Sequence, residues 1–185
     1  MTIDLEALYI DLHQHPELSF QETRTAQVAA GHLRDLGYEV HEGIGITGVA
    51  AVLANGEGPT VWLRADMDAL PVEEQTGLAY ASTAKGIDPA GKTVPVMHAC
   101  GHDMHVTAMI GAAERLVAER DSWTGTVVVL IQPPRSTAPA RAQCSTTDCS
   151  SASRSPISCS ASTSRPCPRA SSASGRARRW RHPTA

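Results

Sequence analysis

At 185 residues the chain is long enough for one domain with a real core. No apolar run approaches the roughly 20 residues needed to span a bilayer, and the acidic opening, Met1-Thr-Ile-Asp-Leu-Glu6, lacks a signal-peptide pattern, which predicts a soluble cytoplasmic protein with no membrane partner. The net charge of −3 conceals two unlike parts: residues 1–133 hold 18 acids and 7 bases, whereas residues 134–185 hold one acid, Asp148, and nine arginines.

Taken in order, residues 3–12 place Ile3, Leu5, Leu8, Ile10 and Leu12 at spacings that fit a short amphipathic helix ending before Pro16. Ser19-Phe-Gln-Glu22 reads as a capping box, with a second helix running to about Leu36. Ala26, Ala29, Ala30, Leu33 and Leu36 would form its buried face, and Gly37 its stop. Residues 38–42, 48–54 and 60–65 alternate or run apolar as strands, with Asn55-Gly56 as the turn closing the second. The third strand runs straight into Asp66-Met-Asp68-Ala-Leu-Pro71, and carboxylates at the end of a buried strand are where α/β proteins put chemistry.

Residues 72–95 read as loops with weak strands. From about Gly101 to Glu119 a helical stripe of Val106, Met109, Ile110, Ala113, Leu116 and Val117 follows. Residues 124–131 have a central-strand pattern, apolar on both faces. Helices alternating with strands predict an α/β fold, with helices packed on a sheet.

The densest chemistry lies in Val96-Met-His-Ala-Cys-Gly-His-Asp-Met-His105. Cys100 and His102 flank one glycine at a helix start, and thiolate with neutral imidazole is a donor pair preferred by zinc and similar metals. His105, three residues beyond His102, reads as a structural or supporting histidine. Asp66 and Asp103 divide between capping and site support. His13, His15 and His98 read as packing or loop residues, and Glu73 with Glu74 as a solvated charge pair.

Four blocks, His13-Gln-His-Pro-Glu-Leu-Ser-Phe-Gln-Glu22, Leu63-Arg-Ala-Asp-Met-Asp-Ala-Leu-Pro-Val-Glu-Glu74, Met97-His-Ala-Cys-Gly-His-Asp-Met-His105 and Leu130-Ile-Gln-Pro133, strongly resemble metal-dependent amidohydrolases that act on N-acyl amino acids. These are the hippurate hydrolases and indole-acetyl-amino-acid hydrolases of the aminoacylase and carboxypeptidase clan. The resemblance covers residues 1–133. It implies part of a metallopeptidase-like catalytic domain carrying two divalent metals, manganese or zinc, and a small-molecule N-acyl amino acid substrate. It also implies a lid domain, absent from this chain, through which members often dimerise. By position Cys100 would be a bridging thiolate ligand, His102 a ligand to one metal, and Asp68 a carboxylate close behind. A His stands in place of Asp66 in other branches of the clan. In the family the metals lower the pKa of a water and polarise the amide, while a glutamate moves the proton.

That glutamate is the first of Gln-Pro-Ala-Glu-Glu, whose second glutamate is a ligand, yet here Gln132-Pro133 is followed by Pro134-Arg135-Ser136. From Pro134 onward, 48 of 52 residues are Ser, Pro, Thr, Ala, Cys, Trp, Arg or Gly. All have C or G at the second codon base, as expected when a GC-rich gene is read one base out of phase. Codons chosen for Pro134 to Arg141 and moved back one base permit Ala-Glu-Glu-His-Gly-Ala-Gly-Ala, which restores the motif. Residues 134–185 are therefore expected to be an out-of-frame, disordered tail, too poor in apolar residues to offset the entropy of ordering. Its Cys144, Cys149, Cys159 and Cys167 have neither a secretory context nor zinc-ribbon spacing. Its arginines lack the folded motif or interleaved aromatics of a nucleic-acid binder, so no nucleic-acid partner is expected.

Overall fold

The computed structural model describes residues 2–134. Apart from Pro134, the expected tail, with its cysteines and arginines, lies outside them. Three helices, α1 (Leu5–Gln14), α2 (Thr23–Asp35) and α3 (His102–Ala118), accompany six strands. The strands are β1 (Glu39–Ile44), β2 (Gly48–Asn55), β3 (Thr60–Asp66), β4 (Lys85–Ile87), β5 (Thr93–Pro95) and β6 (Gly125–Gln132). The main sheet has the order β1-β2-β6-β3, in which β6 pairs antiparallel with β2 and parallel with β3. This is the expected α/β arrangement of helices on a mixed sheet. Residues 85–95, expected to form only weak strands, close a small antiparallel hairpin of β4 and β5.

Register explains the core. Val49, Ala51 and Leu53 of β2 stand opposite Ile131, Val129 and Val127 of β6, and all six share the face that meets the helices. Leu8 and Leu12 of α1, Ala29, Ala30 and Leu33 of α2, and Val106, Ile110 and Ala113 of α3 close over them. Fully burying a side chain such as Leu12, Leu33 or Ile110 contributes about 1.5–3 kcal/mol. The β6 pattern, apolar at every position from Val127 to Ile131, follows from its central place between two neighbours. Entry into β6 depends on Gly125: its φ is +118°, and a Cβ there would meet the Pro59 carbonyl oxygen at 2.3 Å.

Helix ends differ from expectation in one instructive way. Asp4 caps α1 by accepting from the Ala7 N–H at 3.0 Å. The capping box at Ser19 and Glu22 is not formed: Glu22 is the N-cap residue of α2 but makes no side-chain capping bond. Glu17 does that work, accepting from the backbone N–H groups of Arg24 at 3.0 Å and Thr25 at 2.7 Å. Phe20, at φ +63°, turns the chain. Glu22 is fully buried and accepts from the Thr47 hydroxyl at 2.7 Å, and Ser19 reaches the Asp68 carboxylate instead. At the other end of α2, the Tyr38 N–H returns to the Leu33 carbonyl at 3.0 Å, which stops the helix as Gly37 predicts.

Candidate metal centre

The site is built where β3 leaves the sheet. Asp66 pairs in register with Gln132, and the Met67 N–H donates to the Gln132 carbonyl at 3.2 Å, so the ends of β3 and β6 are held level. Beyond Met67 the chain is stitched on both sides. The Ala69 N–H donates to the Glu17 carbonyl at 2.8 Å, and Leu70 exchanges backbone bonds with Met97 at 3.0 Å each way. The segment carrying Asp68 is thereby fixed against the entry to α2 and against the approach to α3.

Gly101 turns that approach into α3 with φ +73°, a left-handed conformation disfavoured for any residue with a Cβ. His102 is then the first residue of the helix, and its Nδ1 lies 2.8 Å from the Asp68 carbonyl oxygen and 3.0 Å from Asp68 Oδ1. A carbonyl only accepts, so Nδ1 carries a proton and donates, and Nε2 is the nitrogen left without a protein partner. The Ser19 hydroxyl donates to Asp68 Oδ2 at 3.3 Å and helps hold that carboxylate. Oriented in this way, a histidine is prepared to bind a metal through Nε2.

Asp66, His102 and His105 come together, one donor atom from each lying within 4.8 Å of the others. The two imidazole rings have centroids 5.2 Å apart. Two imidazoles with a carboxylate suit a borderline divalent metal, so the residues present fit such an ion. Arg64 Nη1 approaches Asp66 Oδ1 at 3.2 Å from the same strand. Cys100 is a free, exposed thiol on the turn before α3 and is not part of this group.

Behind the first turn of α3 lies a second polar group. His13 of α1 places Nδ1 2.6 Å from Asp103 Oδ2 and Nε2 3.0 Å from Glu74 Oε1, so both ring nitrogens face carboxylates and both donate. Burial pulls the His13 imidazole down, but the bonds to Glu74 and Asp103 outweigh it and raise its pKa above the ordinary value. Burial lifts Glu74, and donors from Thr76, Ser82 and His13 outweigh it, leaving its pKa lowered. Glu74 is thus no solvated partner of Glu73: its side chain is covered and anchors the segment from Thr76 to Ser82. His13 is more than a packing residue for the same reason. His98 is buried with no partner for either ring nitrogen among the described residues, and burial pushes its pKa down despite nearby Asp103. His15 caps locally, bonding the Asp11 carbonyl at 2.7 Å.

A helix-covered mixed sheet that gathers a strand-end aspartate and two histidines at a helix start has the layout of an α/β metallohydrolase. Residues 62–134 match the model of peptidase family M20/M25/M40, and over its N-terminal part the chain belongs to that family. It is 45% identical over 124 residues to thermostable carboxypeptidase 1 of Saccharolobus solfataricus, covering 66% of this chain and 29% of that protein. Hippurate hydrolase of Campylobacter jejuni is 42% identical over 131 residues, 70% of this chain and 31% of that one. A solved structure from Bacillus subtilis, described as a dinuclear metal binding peptidase from the M20 family, superposes with a TM-score of 0.61 at 40% identity. That match covers 70% of this chain and 34% of that one. The chain therefore spans about a third of the length of the relatives it matches. Among the described residues no helix is long and apolar enough to cross a membrane.

Proposed function

We propose that this protein, in its intact form, is a cytoplasmic two-metal amidohydrolase that removes the acyl group from N-acyl amino acids, and that the 185-residue chain as written does not turn over. The observation that carries the first half is the seat of His102: a helix-start imidazole whose Nδ1–H is held by Asp68, at the end of the parallel strand pair. Likeness to hippurate hydrolase supports the substrate class. Cys100 and His102 would hold the metal in this reading, and Asp68 positions His102 from behind. When bound, zinc or manganese would supply Lewis acidity and a water of lowered pKa. The chain's own residues contribute orientation. Asp68 holds His102 Nδ1, Ser19 steadies Asp68, and the Gly101 turn sets His102 at the start of α3.

The second half rests on Pro134-Arg135-Ser136, which stand where the family has Ala-Glu-Glu. Residues 1–133 are then part of the catalytic domain, and residues 134–185 a tail read out of frame after loss of one base. Without the glutamate that moves the proton, the site lacks its base. A chain of this kind is a non-catalytic remnant, and the dimer contacts made by the family's lid belong to the intact protein.

Manganese- or zinc-dependent release of amino acid from N-acyl substrates, assayed for the chain as written and for a frame-corrected full-length version, tests both halves. The expected result is no release by the first and hydrolysis by the second. Turnover by the 185-residue form would refute the loss of the base, and an inactive frame-corrected enzyme would refute the substrate class. Sequencing the DNA across the codons for Ile131 to Arg135 checks the frame directly.

A further inference from the structure

The two edges of the main sheet are built differently. β1 closes one side with ion pairs from Glu39 to His41 and from Glu42 to Arg34, and with a bulge between Glu42 and Ile44. Charges and bulges of this kind keep an edge strand from pairing with another chain. β3 closes the other side in unbroken register with β6, and its Val61 and Trp62 are 49% and 52% exposed. We propose that the β3 edge is an interaction surface for a second copy of this chain, which adds its own β3 antiparallel so that the two sheets become one.

The bonds at the two ends of β3 show which backbone groups remain free. In a parallel pair the N–H and C=O of one residue point to the same side, and successive residues alternate. The Pro59 carbonyl accepts from the Thr126 N–H, and the Met67 N–H donates to the Gln132 carbonyl, so the odd-numbered residues between them address β6. Thr60, Trp62, Arg64 and Asp66 therefore direct their N–H and C=O groups to the outer side, where among the described residues no strand meets them. β4 and β5 pair with each other, so no described strand takes that position.

Outward groups on even-numbered residues permit only registers that pair even with even. A two-fold centred on Arg64 sets two guanidinium groups against each other. One centred on Trp62 leaves Asp66 opposite Gly58, outside the strand. One centred on Leu63 pairs the whole of Thr60–Asp66 with itself. It places Trp62 opposite Arg64 of the second copy and Thr60 opposite Asp66 of the second copy, twice each by symmetry. A guanidinium against an indole and a hydroxyl donating to a carboxylate are favourable cross-strand pairs, and no like charges meet. The strand is thus its own complement. Such an isologous contact leaves a charged, bulged β1 at both outer edges, so association stops at two copies.

A two-fold axis normal to the sheet also puts both α3 helices on the same face. Leu63, Ala108, Met109 and Ala112 wall a cavity of about 340 Å³ beside the β3 edge. Ala108 and Ala112 are exposed and one helical turn apart, small enough for the α3 of the second copy to approach over the seam and cover this apolar wall.

Sedimentation velocity of the full 185-residue chain, under reducing conditions with a chelator, tests this without metal or turnover entering the readout. The expected result is a concentration-dependent equilibrium of monomer and dimer. Trp62→Arg sets like charges opposite each other twice and should raise the dissociation constant about ten-fold or more, and adding Arg64→Glu to it should restore the dimer. A disulfide reads the register. In a chain carrying Cys100→Ser, Cys144→Ser, Cys149→Ser, Cys159→Ser and Cys167→Ser, Leu63→Cys faces itself at the axis, where partners about 4.5 Å apart between Cα atoms can be bridged. Oxidation should give a covalent dimer from Leu63→Cys and none from Val61→Cys, although Val61 is the more exposed of the two. Far-ultraviolet circular dichroism checks that each variant is folded. A folded chain that stays monomeric at every concentration, a dimer unmoved by Trp62→Arg, or cross-linking through Val61→Cys in place of Leu63→Cys would each overturn the proposal.

Discussion

Two histidines meet the first turn of α3, and their surroundings are opposite. His13 is buried, with a carboxylate on each ring nitrogen, Asp103 on one side and Glu74 on the other. His102 is half-buried, with one nitrogen held by Asp68 and the other unengaged. A fully paired imidazolium has nothing left to offer a ligand and serves to lock α1, α3 and the segment after Pro71 together. A half-paired imidazole is preoriented and keeps one ring nitrogen without a protein partner. The difference separates a structural polar cluster from a site, although the two groups share the same helix end.

The sharpest way to break this contrast is to remove each ring. His13→Ala leaves Asp103 and Glu74 facing each other without their cation, and breaking a buried charge pair of this kind costs about 3–5 kcal/mol. His102→Ala loses one hydrogen bond near the surface, about 1 kcal/mol. Urea unfolding of both variants should therefore show a large fall in midpoint for the first and a small one for the second. Equal falls would erase the distinction.

Next in size is the pH dependence of the His13 cluster. The folded pKa of His13 is raised above 6.5, so its contribution is fully present below that value and is lost as pH rises through the raised folded value. The folded pKa of Glu74 is lowered below 4.5, so its contribution is present above that value and is lost as pH falls through the lowered folded value. Melting temperature should hold across the window between those two values and decline outside it. In His13→Gln the alkaline decline should flatten. Superimposable alkaline limbs for parent and variant would show that His13 is not charged in the folded chain.

Smaller still is Gly101→Ala, which forces a Cβ into the left-handed region at a cost of about 1–2 kcal/mol. It should weaken zinc or manganese binding more than its stability loss alone explains, as read by titration at a temperature where the variant is fully folded. Least of all, Arg64→Gln removes the partially exposed partner of Asp66 and should change the urea midpoint by an amount equivalent to no more than about 0.5 kcal/mol. A larger fall would mean that the Arg64–Asp66 pair helps to hold the end of β3 in place.

The scaffold was legible in the sequence because apolar periodicity reports which face is buried. Val127, Val129 and Ile131 of β6, Val106, Ile110 and Ala113 of α3 and the α2 alanines fall in the core, with Met109, Leu116 and Val117 packed against it. Polar architecture left no such trace. His13 finds Glu74 61 residues away and Asp103 90 residues away, and nothing local in His13-Gln-His15 marks it as more than a loop residue. The Ser19 and Glu22 spacing satisfied a capping rule, but rules of spacing assume a regular helix entry, and Phe20 at φ +63° removes that assumption. Glu17 took over because the turn swings its carboxylate onto the free N–H groups of α2. Asp68 and His102 were singled out by motif, and the structure brings them into contact. Asp66 and His105 join His102 through the β3–α3 packing, which no local pattern encodes.

The register of β3 against β6 has a further consequence. Asp66 stands beside Gln132, so the backbone that follows Gln132 leaves the sheet at the very edge where the histidines gather. Every core strand and helix described here is complete before that point. On the shift of reading frame proposed above, the segments that build the described scaffold are spared, and the replaced residues are those that follow Pro133 at this edge. The order of the chain thus separates the segments that build the sheet and its helices from the segment that leaves beside the histidines.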